Sequence, residues 1–153
     1  MVERTFSEWM PSAAVDFIRD FEGCSLVAYL CPAGIWTVGY GHTGPEVHEG
    51  LTITDKTSEE WLLADILKVR RELAPFVNRP VTEGQFVALI SLAFNVGAYY
   101  VTHKCPRLMR ALNTCDDDEA ARQFLDITKA NGIELPGLVR RRQAEARLFL
   151  SEV

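Results

Sequence analysis

Phe21-Glu22-Gly23-Cys24, then Ala28-Tyr29-Leu30-Cys31-Pro32-Ala33-Gly34-Ile35-Trp36-Thr37-Val38-Gly39-Tyr40-Gly41-His42-Thr43, is the stretch whose reading decides the fold. A carboxylic acid, Glu22, stands where an amphipathic helix stops. Pro32-Ala33-Gly34 then interrupts a run of β-branched and aromatic residues. That pattern predicts two or three short strands with a tight turn at Pro32 to Gly34. The hairpin carries Cys31, Thr37 and His42, so it places several polar groups on a compact sheet facing the acid. Alternation sends Trp36 and Val38 to one face and Ile35 and Thr37 to the other. Glycines at 39 and 41 let backbone, or a bulky ligand, approach closely.

Upstream, Pro11-Ser12 reads as a helix start, with Ser12 accepting from the first free N–H groups. Ala14, Phe17, Ile18 and Phe21 recur at helical spacing and form an inward face. Gly23 suits the left-handed residue that closes a helix, which puts Glu22 in the last turn. The negative end of the helix disfavours a second negative charge there. Partial burial acts in the same sense, so the carboxyl is expected to hold its proton, as a general acid must. The other reading is a solvated glutamate that ends a helix, and helix position alone does not choose between them.

Downstream, Gly44 to Thr54 reads as a loop with alternating Val47, Leu51 and Ile53. Thr57-Ser58-Glu59-Glu60 matches a capping box for a long helix through Leu62, Ile66, Val69 and Leu73 to Pro75. The charged far face of this helix suits a bridge between two lobes. Thr82 to Gln85 forms a second capping box. It opens an almost uncharged run, Phe86, Leu89, Ile90, Ala93 and Phe94, which is expected to be the most buried helix. Pro106 to Leu112 reads as a short helix, and Asp116 to Asp118 favour the start of another. Ala120, Ala121, Phe124 and Leu125 mark its inner face. Gly132 breaks it, and Pro136-Gly137 opens a last helix anchored by Leu148 and Phe149. Arg140, Arg141 and Arg142 point in different directions on that helix. At most two of them reach a common site, and otherwise they form a solvated basic face.

The bulk numbers set limits on this outline. The chain of 153 residues suffices for one domain with a real core, or two small lobes sharing a helix. Apolar residues make up 48% and charged residues 24%, which argues against disorder. A net charge of −5 argues against nucleic acid as a partner. No segment approaches the ~18 consecutive apolar residues of a membrane span, so no stable membrane insertion is expected. The first residues lack the basic start and apolar core of a secretory signal, so synthesis in the cytoplasm is expected. Cys24, Cys31, Cys105 and Cys115 are too few and too unevenly spaced for a disulfide scaffold. Cys105 and Cys115 read as buried or idle thiols. His42, His48 and the nearby cysteines match no zinc-ligand spacing, so no metal is expected, and no cofactor.

Taken together, Glu22-Gly23, Tyr29 and Gly34-x-Trp36-Thr37-x-Gly39-x-Gly41-His42-Thr43 resemble the phage-type lysozymes, the endolysin muramidases of the T4 lysozyme family. The resemblance continues through Gln85-Phe86-x-Ala88-Leu89, Phe94-Asn95-Val96-Gly97 and Leu135-Pro136-Gly137-Leu138-Val139-x-Arg141-Arg142, in the family's order. It implies an α+β, lysozyme-like fold in one domain over residues 1–153. In that fold a first helix and small sheet lobe (about 12–56) is joined by a linking helix (about 57–74) to a larger helical lobe (about 80–153). It also implies hydrolysis of the β-1,4 bond between N-acetylmuramic acid and N-acetylglucosamine in peptidoglycan, by a monomer. By the same resemblance Glu22 falls on the general acid and Thr37 on the threonine that helps hold the attacking water. Tyr29, His42, Phe94, Asn95 and Arg141 are assigned to substrate binding. Phe94 reads equally as core, and His42 equally as a hydrogen-bonded structural histidine.

Cys31 falls where the family places its second carboxylate. Glycosidases usually need two carboxyls, one giving a proton and one activating water or attacking the sugar. A thiolate is both a base and a nucleophile, provided its pKa is low. Similar Cys-Pro-Ala-Gly turns belong to a branch resembling the P1 phage enzyme. Three outcomes stay open: Cys31 polarises water and the anomer inverts, it attacks and the anomer is retained, or the site is crippled. By resemblance the same branch shares the Cys24 and Cys31 pair; a disulfide implied between them would silence the enzyme and reduction would restore it, against two unpaired thiols in a reducing cytoplasm. The expected protein is a muramidase that reaches the periplasmic wall after another protein permeabilises the membrane. Its rivals are a catalytically impaired peptidoglycan-binding module and a lytic transglycosylase.

Overall fold

The computed structural model describes residues 1–153 as seven α-helices and four short strands. In chain order these are α1 (Val15–Phe21), β1 (Ser25–Leu30), β2 (Trp36–Gly39), α2 (Asp55–Leu73), α3 (Glu83–Val96), α4 (Ala98–Lys104), α5 (Pro106–Asn113), α6 (Asp117–Leu125), β3 (Lys129–Ala130), β4 (Ile133–Glu134) and α7 (Pro136–Leu150). The architecture is α+β, as expected.

The core forms around α3, in which every residue from Gly84 to Ala93 is buried. All-round burial explains the near absence of charge along its sequence. Its start is the predicted capping box: Gln85 N donates to Thr82 Oγ1 at 3.1 Å, and Thr82 N donates to Gln85 Oε1 at 3.0 Å. Ile18, Leu62, Ile66, Phe86, Phe124 and Phe149 meet in one apolar cluster with it. Each such side chain contributes about 1.5–3 kcal/mol of burial, against about 1 kcal/mol for a typical cap and about 0–1 kcal/mol for a surface ion pair, so together they dominate. No single helix is long and apolar enough to cross a membrane.

Three helix ends differ from the sequence reading. The long helix α2 is capped by Thr54, which accepts from Thr57 N at 3.1 Å, so Thr57 lies in its first turn rather than at its cap. At the N-terminal helix, Pro11 to Ala14 form a 3-10 turn before α1, and Ser12 makes no cap. Ser12 lies inside this turn, whose N-cap position is Met10, so it is not placed to cap it. Glu22 is the residue after α1 (φ −96°, ψ 125°), with its N–H on Ile18 O at 2.9 Å. The chain thus leaves the helix directly in extended form, and Gly23 is not left-handed.

β1 and β2 pair antiparallel, with Ser25 opposite Gly39, Tyr29 opposite Thr37 and Leu30 opposite Trp36. Between Ser25 and Tyr29 the register is broken, and there β1 turns to a third segment: Ala28 N donates to Leu51 O and Ile53 N to Leu26 O, both at 2.9 Å. The expected alternation along β2 does not hold, because Thr37, Val38 and Gly39 are all buried in succession. Gly39, at φ +66°, is the reason. A Cβ there would lie 3.5 Å from Ser58 Cβ and 3.4 Å from Ile53 Cδ1, so α2 packs directly on the strand end. Late in the chain, Asn131 (φ 53°) and Gly132 (φ 79°) turn β3 into β4. This is an Asn-Gly hairpin where the sequence was read only as a helix break.

The start of α3 abuts the chain's C-terminal segment. A Cβ on Gly84 would sit 2.6 Å from Leu148 O and 3.0 Å from Val153 O. Gly84→Ala gains at most about 1 kcal/mol of helix propensity. Overpacking of this kind typically costs about 1–3 kcal/mol, so a net loss is expected. Urea unfolding checks this, and a midpoint equal to or above wild type would show that the C-terminal segment yields freely.

Candidate active site

Cys31 begins the tight turn after β1. Gly34 N donates to Cys31 O at 2.8 Å, and Cys31 N donates to Ile35 O at 3.0 Å. Pro32 presets the second position of this turn, and Gly34 takes φ +77°. The turn thereby aims backbone amides at the sulfur. The Ile35 amide above all, with those of Ala33 and Gly34 and the Thr37 hydroxyl, holds the Cys31 thiol below its usual range against the opposing effect of burial. Thr37 Oγ1 also lies 2.9 Å from Ile35 O, and its single proton serves that carbonyl or the sulfur, one at a time. Tyr29, opposite Thr37, is exposed on the sheet.

Glu22 lies at the other end of the hairpin. Its Oε1 accepts from Arg141 Nη1 at 2.7 Å. Its Oε2 would be 3.7 Å from a Cβ on Gly41, so the returning chain runs close against the carboxyl. Two grooves flank this point. One of about 360 Å³ is lined by Phe21, Glu22, Asn95, Leu138 and Arg141. The other, of about 330 Å³, is lined by Gly41, Thr43, Asp65, Lys68, Glu72 and Phe94.

Arg141 and Arg142 are both buried, so the solvated basic face read from sequence holds only for Arg140. Arg142 donates Nε to Ile127 O at 2.8 Å and Nη2 to Asn95 Oδ1, which leaves the Asn95 amide nitrogen for the groove. Phe94 is half-buried, packed against the core on one side and lining the second groove on the other. His42 has both ring nitrogens engaged, Nδ1 with Asp65 Oδ2 at 2.7 Å and Nε2 with Glu46, and its ring lies 4.5 Å from that of Trp61. It fastens the hairpin to α2.

Sequence reasoning missed Asp65 and Glu46 as partners of His42, and Ser91 and Glu145 as partners of the arginines. The spacing of Arg141 and Arg142 to Glu145, four and three residues along one helix, was the available signal. All four cysteines are free. The implied Cys24–Cys31 disulfide is incompatible with the paired hairpin. These residues lie just beyond the Ser25–Gly39 and Leu30–Trp36 pairs, which are three residues apart on β2, about 10 Å of strand rise. A disulfide needs Cα atoms within about 7 Å. No three His, Cys, Asp or Glu side chains converge on a possible metal position.

The phage lysozyme family model matches residues 19–145. The endolysin of Acyrthosiphon pisum secondary endosymbiont phage 1 is 41% identical over 138 residues, covering 88% of this chain and 92% of that protein. The muramidase domain of SpmX from Asticaccaulis excentricus superposes with a TM-score of 0.84 at 33% identity, over 94% of this chain and 98% of that one. The active form of the P1 phage endolysin Lyz gives 0.77 at 27% identity, over 90% and 83%. A sheet and a helical body meeting at a carboxyl-bearing groove, with these relatives, define a glycoside hydrolase of the muramidase class. The chain belongs to the phage lysozyme family, and its substrate is the peptidoglycan of the bacterial cell wall.

The His42 clasp has a pH signature. Burial opposes charge on the ring, but hydrogen bonds from Asp65 and Glu46 outweigh it, and the pKa of His42 is raised. Burial pushes the Asp65 carboxyl up, with His42 offsetting only part of this. Both groups therefore favour the folded state at lower pH, Asp65 from about 3.9 upward and His42 from about 6.5 upward, while the lowered Cys31 thiol acts in the opposite sense below about 8.5. The part that His42 contributes, present below about pH 6.5, is expected to fall as pH rises through its raised value. Thermal melts from pH 5 to 9 test it. His42→Asn should flatten the slope above 6.5, and an unchanged slope would assign it to another group.

Proposed function

We propose that this protein is an endolysin muramidase that hydrolyses the β-1,4 bond between N-acetylmuramic acid and N-acetylglucosamine. The observation that carries the reading is the Glu22 carboxyl, held by Arg141 at a groove at one end of a hairpin whose other end is a turn that stabilises a thiolate. Glu22 gives its proton to the glycosidic oxygen as the leaving sugar departs. Arg141 stabilises the carboxylate this leaves behind. Thr37 and the Cys31 thiolate hold and polarise a water on the opposite face of the sugar. As that water adds to the anomeric carbon, its proton passes to the sulfur. With water rather than sulfur adding to the anomeric carbon, the anomer inverts.

Tyr29, Phe94 and the Asn95 amide nitrogen contact the glycan strand, and His42 acts by holding the hairpin in place. The enzyme works as a monomer without metal or cofactor. It is made in the host cytoplasm, does not insert stably into the membrane, and meets the wall in the periplasm once the membrane is breached.

Digestion of purified peptidoglycan, with products analysed by mass, tests the reading. Wild type should yield reducing muramic acid ends. Glu22→Gln should lose about 10²–10⁴ of the rate, the usual range for a missing general acid. Cys31→Ala should lose a smaller factor, and Cys31→Asp should keep or raise activity. Anhydro ends from wild type would establish a lytic transglycosylase instead, and intact glycan a binding module.

A further inference from the structure

A row of alternating charge runs inward from Glu22 through Arg141, Glu145 and Arg142, closed by Ser91 and Asn95 on α3. Glu145 is fully buried, and its carboxylate accepts from Ser91 Oγ and Arg142 Nη1, both at 2.5 Å, and from Arg141 Nε at 3.4 Å. Arg141 gives Nε also to Ser91 Oγ at 3.3 Å and Nη2 to Ser91 O at 3.2 Å. Only Nη1 points outward, to Glu22 at 2.7 Å. With the other edges of this planar fork held on α3 and α7, the outward donor has one direction. No buried side-chain nitrogen or oxygen lacks a partner.

Such a buried ion group contributes little net stability compared with an apolar core of equal volume. Burial also pushes Glu145 up and Arg142 down from their usual values, so each charge is tolerated because the other is present. Stability alone therefore does not account for the cluster, whereas aiming Arg141 does.

We propose that Glu145, with Ser91, is a positioning residue for glycan hydrolysis: it fixes the direction of the Arg141 guanidinium and offsets its charge. The proposal rests on Glu22 being the acid. Without the Glu145 charge, Arg141 and Arg142 stand side by side with Glu22 as their one remaining carboxylate neighbour. The surplus positive charge then favours the proton-depleted form of the acid. The remaining groups facing the row are Ser91 and Asn95, both neutral, and the Cys105 thiol beside Arg142.

The test compares full-length wild type, Glu145→Gln, Glu145→Asp, Ser91→Ala and Glu22→Gln. Melting temperature, kcat and KM on soluble glycan strands, and the pH profile of kcat are measured. Glu145→Gln should lose about tenfold in kcat with KM little changed, and its alkaline limb should move about one pH unit lower. Glu145→Asp keeps the charge, so its limb should stay with wild type. Ser91→Ala should fold and lose about threefold in kcat. A folded Glu145→Gln with an unmoved limb, or a Glu145→Asp limb that moves equally far, overturns the proposal. Should Glu145→Gln fail to fold, Ser91→Ala decides, and wild-type kcat there overturns it as well. Glu22→Gln separates the two ideas: if it is active, the reading of the acid fails, and if it is inactive beside an unmoved Glu145→Gln limb, only the positioning role fails.

Discussion

The contact between Arg141 and Glu22 joins residues 119 apart in the chain, and the rest of the site depends on it. Glu22 lies on extended backbone just past a seven-residue helix, a position with little rigidity of its own. Arg141 stands on α7, the helix most closely packed against α3. Through the guanidinium the carboxyl is referenced to the helical core rather than to the sheet. Charge-assisted hydrogen bonds contribute about 1.5–3 kcal/mol when shielded. This one is weaker, because 22% of the Glu22 side chain still meets solvent. That is enough to choose a rotamer, and choosing a rotamer is what an acid in an open groove requires.

A second clamp works from the opposite direction. His42 sits just after Gly41, which passes beside Glu22, and it binds Asp65 on α2 while Trp61 supports its ring. Gly39 lets that same helix press on the end of β2. The end of α1, the returning hairpin and the start of α7 thus come together beside the two grooves. The hairpin has its own clasp on α2, whereas the end of α1 and α7 are held to each other by the Arg141–Glu22 pair.

Much of this was legible in the sequence. The Thr82–Gln85 box, the uncharged run after it and the Pro-Ala-Gly turn each report a local rule that the tertiary structure obeys. The failures share a cause. Thr54 and Thr57 both suit a cap, and only the packing of Ser58 against Gly39 shows which one starts the helix. Alternation along β2 fails because a glycine admits a helix to a face that would otherwise be open. Arg141 and Arg142 looked like a solvated face because arginine is rarely buried, and nothing local announces that Ser91, fifty residues earlier, waits to receive them. Single charges could be placed on elements from sequence, but the pairs that neutralise them could not.

Sulfur at position 31 makes sense in terms of where the turn leaves it. A carboxylate is ionised at neutral pH without help, whereas a thiol in water is mostly protonated. Cys31 has that help from the amides of Ile35, Ala33 and Gly34, which the turn directs at it whatever residue begins it. Partial burial of the thiol opposes its charge, and these amides together outweigh it. The acid and the thiolate thus occupy complementary surroundings. The acid is tied to a buried counter-charge that stabilises it after it gives up a proton, and the thiolate sits on an open turn that stabilises it before it accepts one. In the proposed mechanism, proton flow from Glu22 to the leaving sugar and from water to Cys31 uses that asymmetry, without requiring a second carboxyl.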